Sequence, residues 1–343
     1  MAREEYEAPD IDDRVPFPPM EAELVSMLPD GDGWQYEPKW DGFRGVLENV
    51  GGGGVRLWSR NGRPLGRYFP EVLVAGERLP PDSALDGEIV IETEGALDFD
   101  RLQMRLHPAE SRVRRLAAET PARIVVFDVL LWDGEPVHEL PLEERRARVE
   151  KLPFDVSPAS LDFEQAQTWL ERLEVAGFDG VIAKRLDQPY RSGSREAVRK
   201  VKREQTADCV VIGLRWKARP TTIATILLGL YDGDDVRYVG TAAVGGKRHD
   251  EVKERLLPLL EDAPDRGFSE PSRWGTGDLE QSALRPELVI EVRYDKWQKA
   301  RFRHGTRFLR WRPEKDPRQC TVDEVRPRPK AGDPTVPALL ARD

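Results

Sequence analysis

Histidine and cysteine are scarce in this sequence. Its 343 residues include four histidines and only two cysteines, Cys209 and Cys320. Two cysteines far apart in the chain suit neither a disulfide framework nor a thiolate zinc site, because both need several cysteines at short spacings. The scarcity therefore argues against the small disulfide-rich secreted folds and predicts a protein of the reducing cytoplasm.

Long hydrophobic runs are also missing. No stretch approaches the roughly 18 apolar residues that span a membrane, and the first residues lack the apolar core of a signal peptide. The composition, 39% hydrophobic and 34% charged residues, is typical of a soluble globular protein with a heavily charged surface. The length suffices for two or three domains. We therefore expect no membrane partner, and we also expect a monomer.

The charge balance disfavours a protein that coats nucleic acid. The formal net charge is −9, from 62 acidic and 53 basic residues. Basic residues are nevertheless concentrated in the stretches 101–115, 195–219 and 296–318. Such stretches are usually solvated faces, and the alternative is that they converge on one nucleic-acid groove.

The most informative stretch is Lys39-Trp40-Asp41-Gly42-Phe43-Arg44. Its residue types suit attack by an amine on a phosphate. The acid can pair with the ammonium group, the glycine lets the backbone approach a ligand, and the arginine donates to phosphate or sugar oxygens. The same run also describes an ordinary hairpin turn with a solvated lysine. Only the rest of the chain distinguishes these two interpretations.

Apolar patterning predicts an α+β fold. Strands are predicted at 34–38, 42–49, 55–59, 84–91, 124–132, 178–184 and 198–203, and helices at 20–28, 68–77, 99–106, 111–119 and 163–173. Later strands at 207–216, 223–231, 236–240, 288–294 and 302–311, with one helix at 247–260, predict a Greek-key barrel of the OB type. We therefore expect a domain of antiparallel sheets with flanking helices at 1–204, an OB-fold domain at 205–325 and an irregular tail at 326–343.

Further runs follow the lysine in a fixed order. They are Ser59-Arg60-Asn61-Gly62, Asp86-Gly87-Glu88, Phe127-Asp128, Asp179-Gly180-x-x-x-Lys184, Lys200-x-Lys202 and Arg312-x-Glu314-Lys315. This series resembles the motifs of the covalent nucleotidyltransferases, which comprise DNA ligases, RNA ligases and mRNA capping enzymes. Over residues 15–325 the chain is most similar to bacterial ATP-dependent DNA ligases of the ligase C kind and to the ligase domain of ligase D. The resemblance implies an adenylation domain followed by an OB-fold domain.

The resemblance also implies an activity. Such an enzyme seals 5′-phosphate/3′-hydroxyl nicks in double-stranded DNA, uses ATP with Mg²⁺ or Mn²⁺, and serves DNA repair beside other repair or end-joining proteins. Lys39 would attack the α-phosphate of ATP and carry AMP, which passes to the 5′-phosphate before the 3′-hydroxyl displaces it. A lysine attacks only as the neutral amine, and Lys200, Lys202 and a divalent metal would favour that form.

By the same resemblance, the other motif residues bind the nucleotide, the nick or the metal. Glu37 and Phe127 would contact the adenine, and Arg44 and Arg60 would contact the ribose, a phosphate or the nick. The nucleotide and its α-phosphate would be bound by Lys184, Lys200 and Lys202, and the pyrophosphate by Arg312 and Lys315. A metal ion would be bound by Glu88 and Asp179, with Glu88 also near the ribose.

Two positions depart from the family pattern. The fourth motif usually opens with glutamate, and Asp179 stands there with a side chain that reaches less far towards a metal. The last motif has Glu314 where aspartate is usual. The alternative enzyme is an RNA ligase or a capping-type guanylyltransferase, and the alternative of another class is a catalytically silent nucleic-acid-binding protein.

Overall fold

The chain divides into two compact units. The computed structural model describes residues 10–218, 222–261, 280–303 and 305–341. The first unit comprises Met1–Arg203 together with Pro329–Asp343, and the second comprises Glu204–Arg328. The end of the chain therefore belongs with its beginning, and the second unit is inserted between the two.

The first unit is built mainly on antiparallel strands. In chain order they are β1 (Glu23–Leu24), β2 (Trp34–Pro38), β3 (Phe43–Asn49), β4 (Val55–Ser59), β5 (Ser83–Val90), β6 (Glu92–Thr93), β7 (Ala96–Leu97), β8 (Arg123–Leu131), β9 (Asp155–Val156), β10 (Val181–Arg185) and β11 (Val198–Val201). The helices before residue 204 are α1 (Pro70–Gly76), α2 (Phe99–Met104), α3 (Glu110–Glu119), α4 (Leu142–Val149) and α5 (Phe163–Arg172).

Two of its sheets position the predicted site residues. A five-stranded sheet has the order β4-β3-β5-β8-β9, and a four-stranded sheet has the order β1-β11-β10-β2. The nearly continuous apolar sequence of β8 explains its interior place, because an inner strand of a sheet packed on both faces has almost no exposed side. The segment 39–42 leads from β2 in one sheet to β3 in the other, so the lysine run joins the two sheets.

Apolar burial stabilises this unit. Leu47, Leu85, Ile89 and Val126 are fully buried in one cluster with Phe69, which precedes helix α1. Burying one such side chain stabilises a fold by about 1.5–3 kcal/mol, so this cluster stabilises the five-stranded sheet.

The second unit is a closed barrel. Its strands are β12 (Gln205–Ala218), β13 (Thr222–Asp232), β14 (Asp235–Ala243), β15 (Gln281–Ala283), β16 (Val289–Tyr294), β17 (Trp297–Gln298), β18 (Arg301–Phe302) and β19 (Thr306–Trp311), with helices α6 (His249–Leu256) and α7 (Val322–Val325). Strands β13, β14, β19, β16 and β12 are neighbours in that order, and β12 pairs again with β13 to close the ring. Strands β14 and β19 run parallel and the other ring pairs antiparallel. The OB-fold prediction is confirmed.

One predicted helix is a strand. Residues 20–28 were expected to be helical, and instead Glu23 and Leu24 form β1, paired in parallel with Arg199 and Lys200 of β11. Leu24 is 62% and Met27 77% exposed, so these two apolar residues do not belong to a buried helix face. Pairing with the free edge of β11 outweighs the local helical pattern. Helix α4 was not predicted.

Part of the tail that was predicted to be irregular is helical. It forms helix α8 (Val336–Leu340), whose Val336 is fully buried among residues of the first unit. Val336 N donates to Gly95 O at 2.8 Å, and Arg172 pairs with Asp333 at 2.9 Å. The four prolines in this region concealed a docked segment, because its order comes from contacts with distant residues. No helix among the described residues is long and apolar enough to cross a membrane.

Candidate active site

A cavity of about 730 Å³ opens in the first unit. Its lining includes most of the residues that the sequence motifs singled out in this unit, namely Glu37, Lys39, Arg44, Arg60, Glu88, Phe127, Lys184 and Lys200. These residues come from β2, β3, β5, β8, β10 and β11 and from the turn after β4, so the two sheets together form the walls. The cavity has the size of a small-molecule site.

Lys39 stands directly after β2, at the point where the chain leaves the four-stranded sheet. Its backbone is fixed on both sides: Lys39 N donates to Gly180 O, and Asp179 N donates to Lys39 O, each at 2.9 Å. The neighbouring Trp40 is buried and donates from Nε1 to Ser157 Oγ at 3.0 Å. A lysine whose backbone is fixed this way does not belong to a mobile turn. This disfavours the interpretation of the run as an ordinary hairpin turn.

Asp179 binds two ammonium groups with one oxygen. Its Oδ2 lies 2.6 Å from Lys39 Nζ and 2.9 Å from Lys202 Nζ. Burial would raise the pKa of Asp179, but the charges of Lys39 and Lys202 and their hydrogen bonds lower it below its ordinary value. Asp179 and Lys202 are not among the residues that line the cavity, whereas Lys39 is.

Lys200, which lies in β11, adds a third cation to Lys39 and Lys202. Burial lowers its pKa below the ordinary lysine value, and the positive charges of Lys39 and Lys202 lower it further. Glu21, which also lines the cavity, acts in the opposite direction. The three lysines form a concentrated positive field, which suits a polyphosphate ligand.

Two glycines make this arrangement possible. Gly180 has a φ of +134°, and a Cβ there would lie 2.0 Å from Val201 O, so only glycine lets Asp179 sit between β2 and β11. At Gly42 a Cβ would lie 2.1 Å from Ile89 O. The glycine of the lysine run therefore allows close packing on β5, whereas the sequence suggested close approach to a ligand.

Glu88 projects from β5 into the cavity. Its Oε1 accepts a hydrogen bond from Gly42 N at 3.0 Å. Burial raises the pKa of Glu88 to about 7, although Lys39, Arg44 and the Gly42 amide all favour the charged form. A carboxylate that remains this hard to ionise lacks a sufficient positive partner, and a bound cation would supply one.

The predicted metal ligands fit a metal ion to different degrees. No group of three or more His, Cys, Asp or Glu side chains suited to a metal occurs within the described residues. Mg²⁺ needs only one or two protein carboxylates when phosphate oxygens and water complete its shell, and Glu88 suits that role. Asp179 is engaged by two lysines, so a metal there would have to displace at least one of them.

One wall combines an aromatic ring with a buried ion pair. Two cations lie near the Phe127 ring: Lys184 Nζ is 4.7 Å and Arg44 Cζ 5.5 Å from its centroid. Lys184 Nζ is also 2.7 Å from Glu37 Oε1, which accepts a further hydrogen bond from Gln35 Nε2 at 2.8 Å. An aromatic face beside fixed polar groups suits a flat heterocycle.

Arg44 is held by residues that the motifs did not explain. Its Nε and Nη2 donate to the two oxygens of Asp86, at 3.0 and 2.5 Å, and Nη2 also donates to Tyr190 Oη at 3.1 Å. Asp86 is completely buried and Tyr190 nearly so. Asp86 belongs to a quoted motif without an assigned role, and nothing in the local sequence marked Tyr190.

The last motif belongs to the second unit. Arg312 Nη1 lies 2.8 Å from Asp208 Oδ1, and Lys315 Nζ lies 3.4 Å from Asp208 Oδ2. The side chain of Glu314 accepts from Arg312 Nε at 2.6 Å, and Glu324 lies 3.3 Å from Lys315 Nζ. Both predicted pyrophosphate-binding residues thus form ion pairs with Asp208 of the barrel. Their role towards pyrophosphate stays a prediction.

Comparisons with known proteins identify the class. Residues 19–202 match the model of the ATP dependent DNA ligase domain, and residues 219–315 match that of the ATP dependent DNA ligase C terminal region. DNA ligase C2 of Mycolicibacterium smegmatis is 41% identical, over 90% of this chain and 94% of that protein. The multifunctional non-homologous end joining protein LigD of Pseudomonas aeruginosa is 32% identical, over 90% of this chain and 37% of that protein.

The chain belongs to the ATP-dependent DNA ligases. It is a ligase-C-like member of that family, as the ordered motifs predicted, and the RNA ligase, capping and silent alternatives are not supported. The fold agrees: a solved structure from a structure-function analysis of Lig E DNA ligases superimposes with a TM-score of 0.54 at 15% identity, over 85% of this chain and 100% of that chain.

Proposed function

We propose that Lys39 is the nucleophile of this ligase. Its Nζ attacks the α-phosphorus of ATP, an N–P bond forms, and the bond from that phosphorus to the pyrophosphate oxygen breaks. The observation that carries the proposal is the position of Lys39, in the wall of the 730 Å³ cavity and beside Asp179, Lys200 and Lys202.

The Asp179 carboxylate stays paired with a cation while Lys39 changes its charge. Lys39 must lose a proton to attack, and its ammonium group then disappears from the pair with Asp179. Lys202 shares the same carboxylate oxygen, so Asp179 remains paired when Lys39 becomes a phosphoramidate. This arrangement avoids an uncompensated carboxylate, which would otherwise oppose the reaction.

The other cavity residues bind the nucleotide and the nick. Lys200, Arg44 and Arg60 would neutralise the phosphates, and charge neutralisation with in-line positioning supplies most of the catalysis of phosphoryl transfer. Phe127 would stack on adenine beside the Glu37–Lys184 pair. Mg²⁺ or Mn²⁺ bound at Glu88 would polarise a phosphoryl oxygen.

The biological substrate is nicked double-stranded DNA. In the later steps the enzyme passes AMP from Lys39 to the 5′-phosphate, and the 3′-hydroxyl then attacks that phosphate and releases AMP. We place this activity in DNA repair in the cytoplasm, carried out by a monomer that acts beside other repair or end-joining proteins. Similarity to a protein named for end joining supports the pathway.

Covalent labelling tests the proposal. Incubation with ATP labelled in the α-phosphate and Mg²⁺ or Mn²⁺ should label the wild-type protein, and Lys39→Ala and Lys39→Arg should both remain unlabelled. Lys151→Ala, which changes an exposed lysine of the same unit, is the matched control and should label normally. Label retained in Lys39→Arg would refute the assignment, because a guanidinium cannot replace the amine as nucleophile.

A substrate panel tests the finer claims. Nicked duplexes with DNA or RNA on the 3′-hydroxyl side should be compared with Mg²⁺ and with Mn²⁺ separately. Sealing of the all-DNA nick is expected. Sealing confined to nicks in RNA would contradict the proposed substrate.

A further inference from the structure

The hydroxyl group of Tyr190 joins three parts of the cavity wall. It donates to Asp86 Oδ2 at 2.6 Å, accepts from Arg44 Nη2 at 3.1 Å, and accepts from the backbone N of Met20 at 3.0 Å. Arg44 and Met20 both line the cavity. One phenol therefore links β3, β5 and the segment that leads into β1.

The geometry leaves one side of Arg44 for a ligand. Nε and Nη2 are used by Asp86 and Tyr190, and no hydrogen bond from Nη1 to another described residue is formed. A guanidinium fixed at two nitrogens presents the third in a defined direction, because the group is planar. The phenol adds a further contact at Nη2 and donates to the same Asp86 oxygen that Nη2 binds, so it fixes the carboxylate as well as the guanidinium.

Tyr190 is itself held rigidly. It is 3% exposed, its N donates to His138 O at 2.8 Å, and Arg145 Cζ lies 5.9 Å from its ring centroid. Arg145 is fixed by a buried pair with Asp128, which stands opposite Asp86 in the β5–β8 ladder. The ring of Tyr190 thus contacts Arg145 of one arginine–carboxylate pair, and its hydroxyl contacts Arg44 and Asp86 of the other.

We propose that Tyr190 is a positioning residue for the ligase reaction, which sets the direction of the Arg44 fork and anchors the Met20 segment at the cavity. The proposal rests on the proposed function, in which Arg44 binds a phosphate. Burial and the neighbouring Asp86 carboxylate raise the pKa of Tyr190 well above its ordinary value. The hydroxyl therefore stays protonated near neutral pH and keeps donating to Asp86.

Tyr190→Phe tests this role in the full-length protein. The ring stays and only the hydroxyl is lost, so the fold should persist. Tyr36→Phe is the matched control, because Tyr36 is equally buried in the same unit and its hydroxyl donates to Pro29 O at 2.8 Å, away from Arg44. We expect Tyr190→Phe to lower kcat for nick sealing about tenfold, as loss of orientation does, and Tyr36→Phe to change it less than about twofold.

A double-variant cycle separates positioning from general stability. Arg44→Lys keeps a charge for Asp86 but removes the planar fork, so adding Tyr190→Phe to it should cause little further loss. Melting temperatures of the Tyr190→Phe and Tyr36→Phe proteins should be similar. Equal activity losses in these two proteins, or losses that multiply in the Arg44→Lys background, would overturn the proposal.

The labelling and sealing assays together show which proposal fails. If Lys39→Arg still becomes labelled by ATP, the proposed function fails. If Lys39 is confirmed and Tyr190→Phe behaves like Tyr36→Phe, only the positioning role fails.

Discussion

Glu88 should make this protein less stable as the pH rises towards neutrality. Its pKa in the folded state is about 7, against an ordinary value of 4.5, because the carboxyl group is desolvated. Between these two pH values the folded protein binds the proton and the unfolded chain does not. The free energy of unfolding therefore falls over this window as the pH increases.

The size of the effect follows from the shift. A difference of this size corresponds to about 3 kcal/mol once the pH exceeds the folded-state value. Partial exposure to the cavity screens the carboxylate, so this is an upper bound. Glu88→Gln keeps an oxygen that can accept from Gly42 N and removes the charge. The variant should match the wild type near pH 4 and exceed its stability by up to about 3 kcal/mol at pH 8.

Urea unfolding at a series of pH values, followed by tryptophan fluorescence, measures this difference. Glu48→Gln is the matched control, because Glu48 is buried in the adjacent strand and accepts hydrogen bonds from Asp12 N and Trp58 Nε1. That variant loses an acceptor and should be less stable than the wild type. A wild-type minus Glu88→Gln difference that does not vary with pH would refute the reasoning.

Further predictions concern the metal, the nucleophile's partner and the tail. Mg²⁺ should lower the pKa of Glu88 if it binds there, which would appear as a smaller stability gain of Glu88→Gln at pH 8 when Mg²⁺ is present. Asp179→Asn should slow lysyl-adenylate formation about 100-fold by releasing Lys39 and Lys202, and Asp179→Glu should recover part of the rate in the same assay. Val336→Asp should lower the free energy of unfolding by about 3 kcal/mol or more in urea titration, whereas Val74→Asp, at a 64% exposed position, should change it by less than about 0.5 kcal/mol.

Many of the strands and of the candidate site residues could be predicted from short stretches of the sequence. Residues such as Lys39, Glu88 and Lys200 stand in short runs whose types already state a chemistry, so their order along the chain was sufficient to propose a nucleotidyltransferase. The strand patterns were equally local: β8 is apolar along most of its length because it lies inside a sheet, and this appears directly in the sequence.

The tertiary structure decided how those residues are connected. Tyr190 and Asp86 are 104 positions apart, yet they share a 2.6 Å hydrogen bond that fixes Arg44. Val336 was expected in an irregular tail and is instead buried in the first unit. Within segment 20–28, Glu23 and Leu24 form a strand because an unpaired edge of β11 was available to them. Composition and periodicity record which side chains a segment carries, whereas pairing and burial depend on partners that only the folded chain brings near.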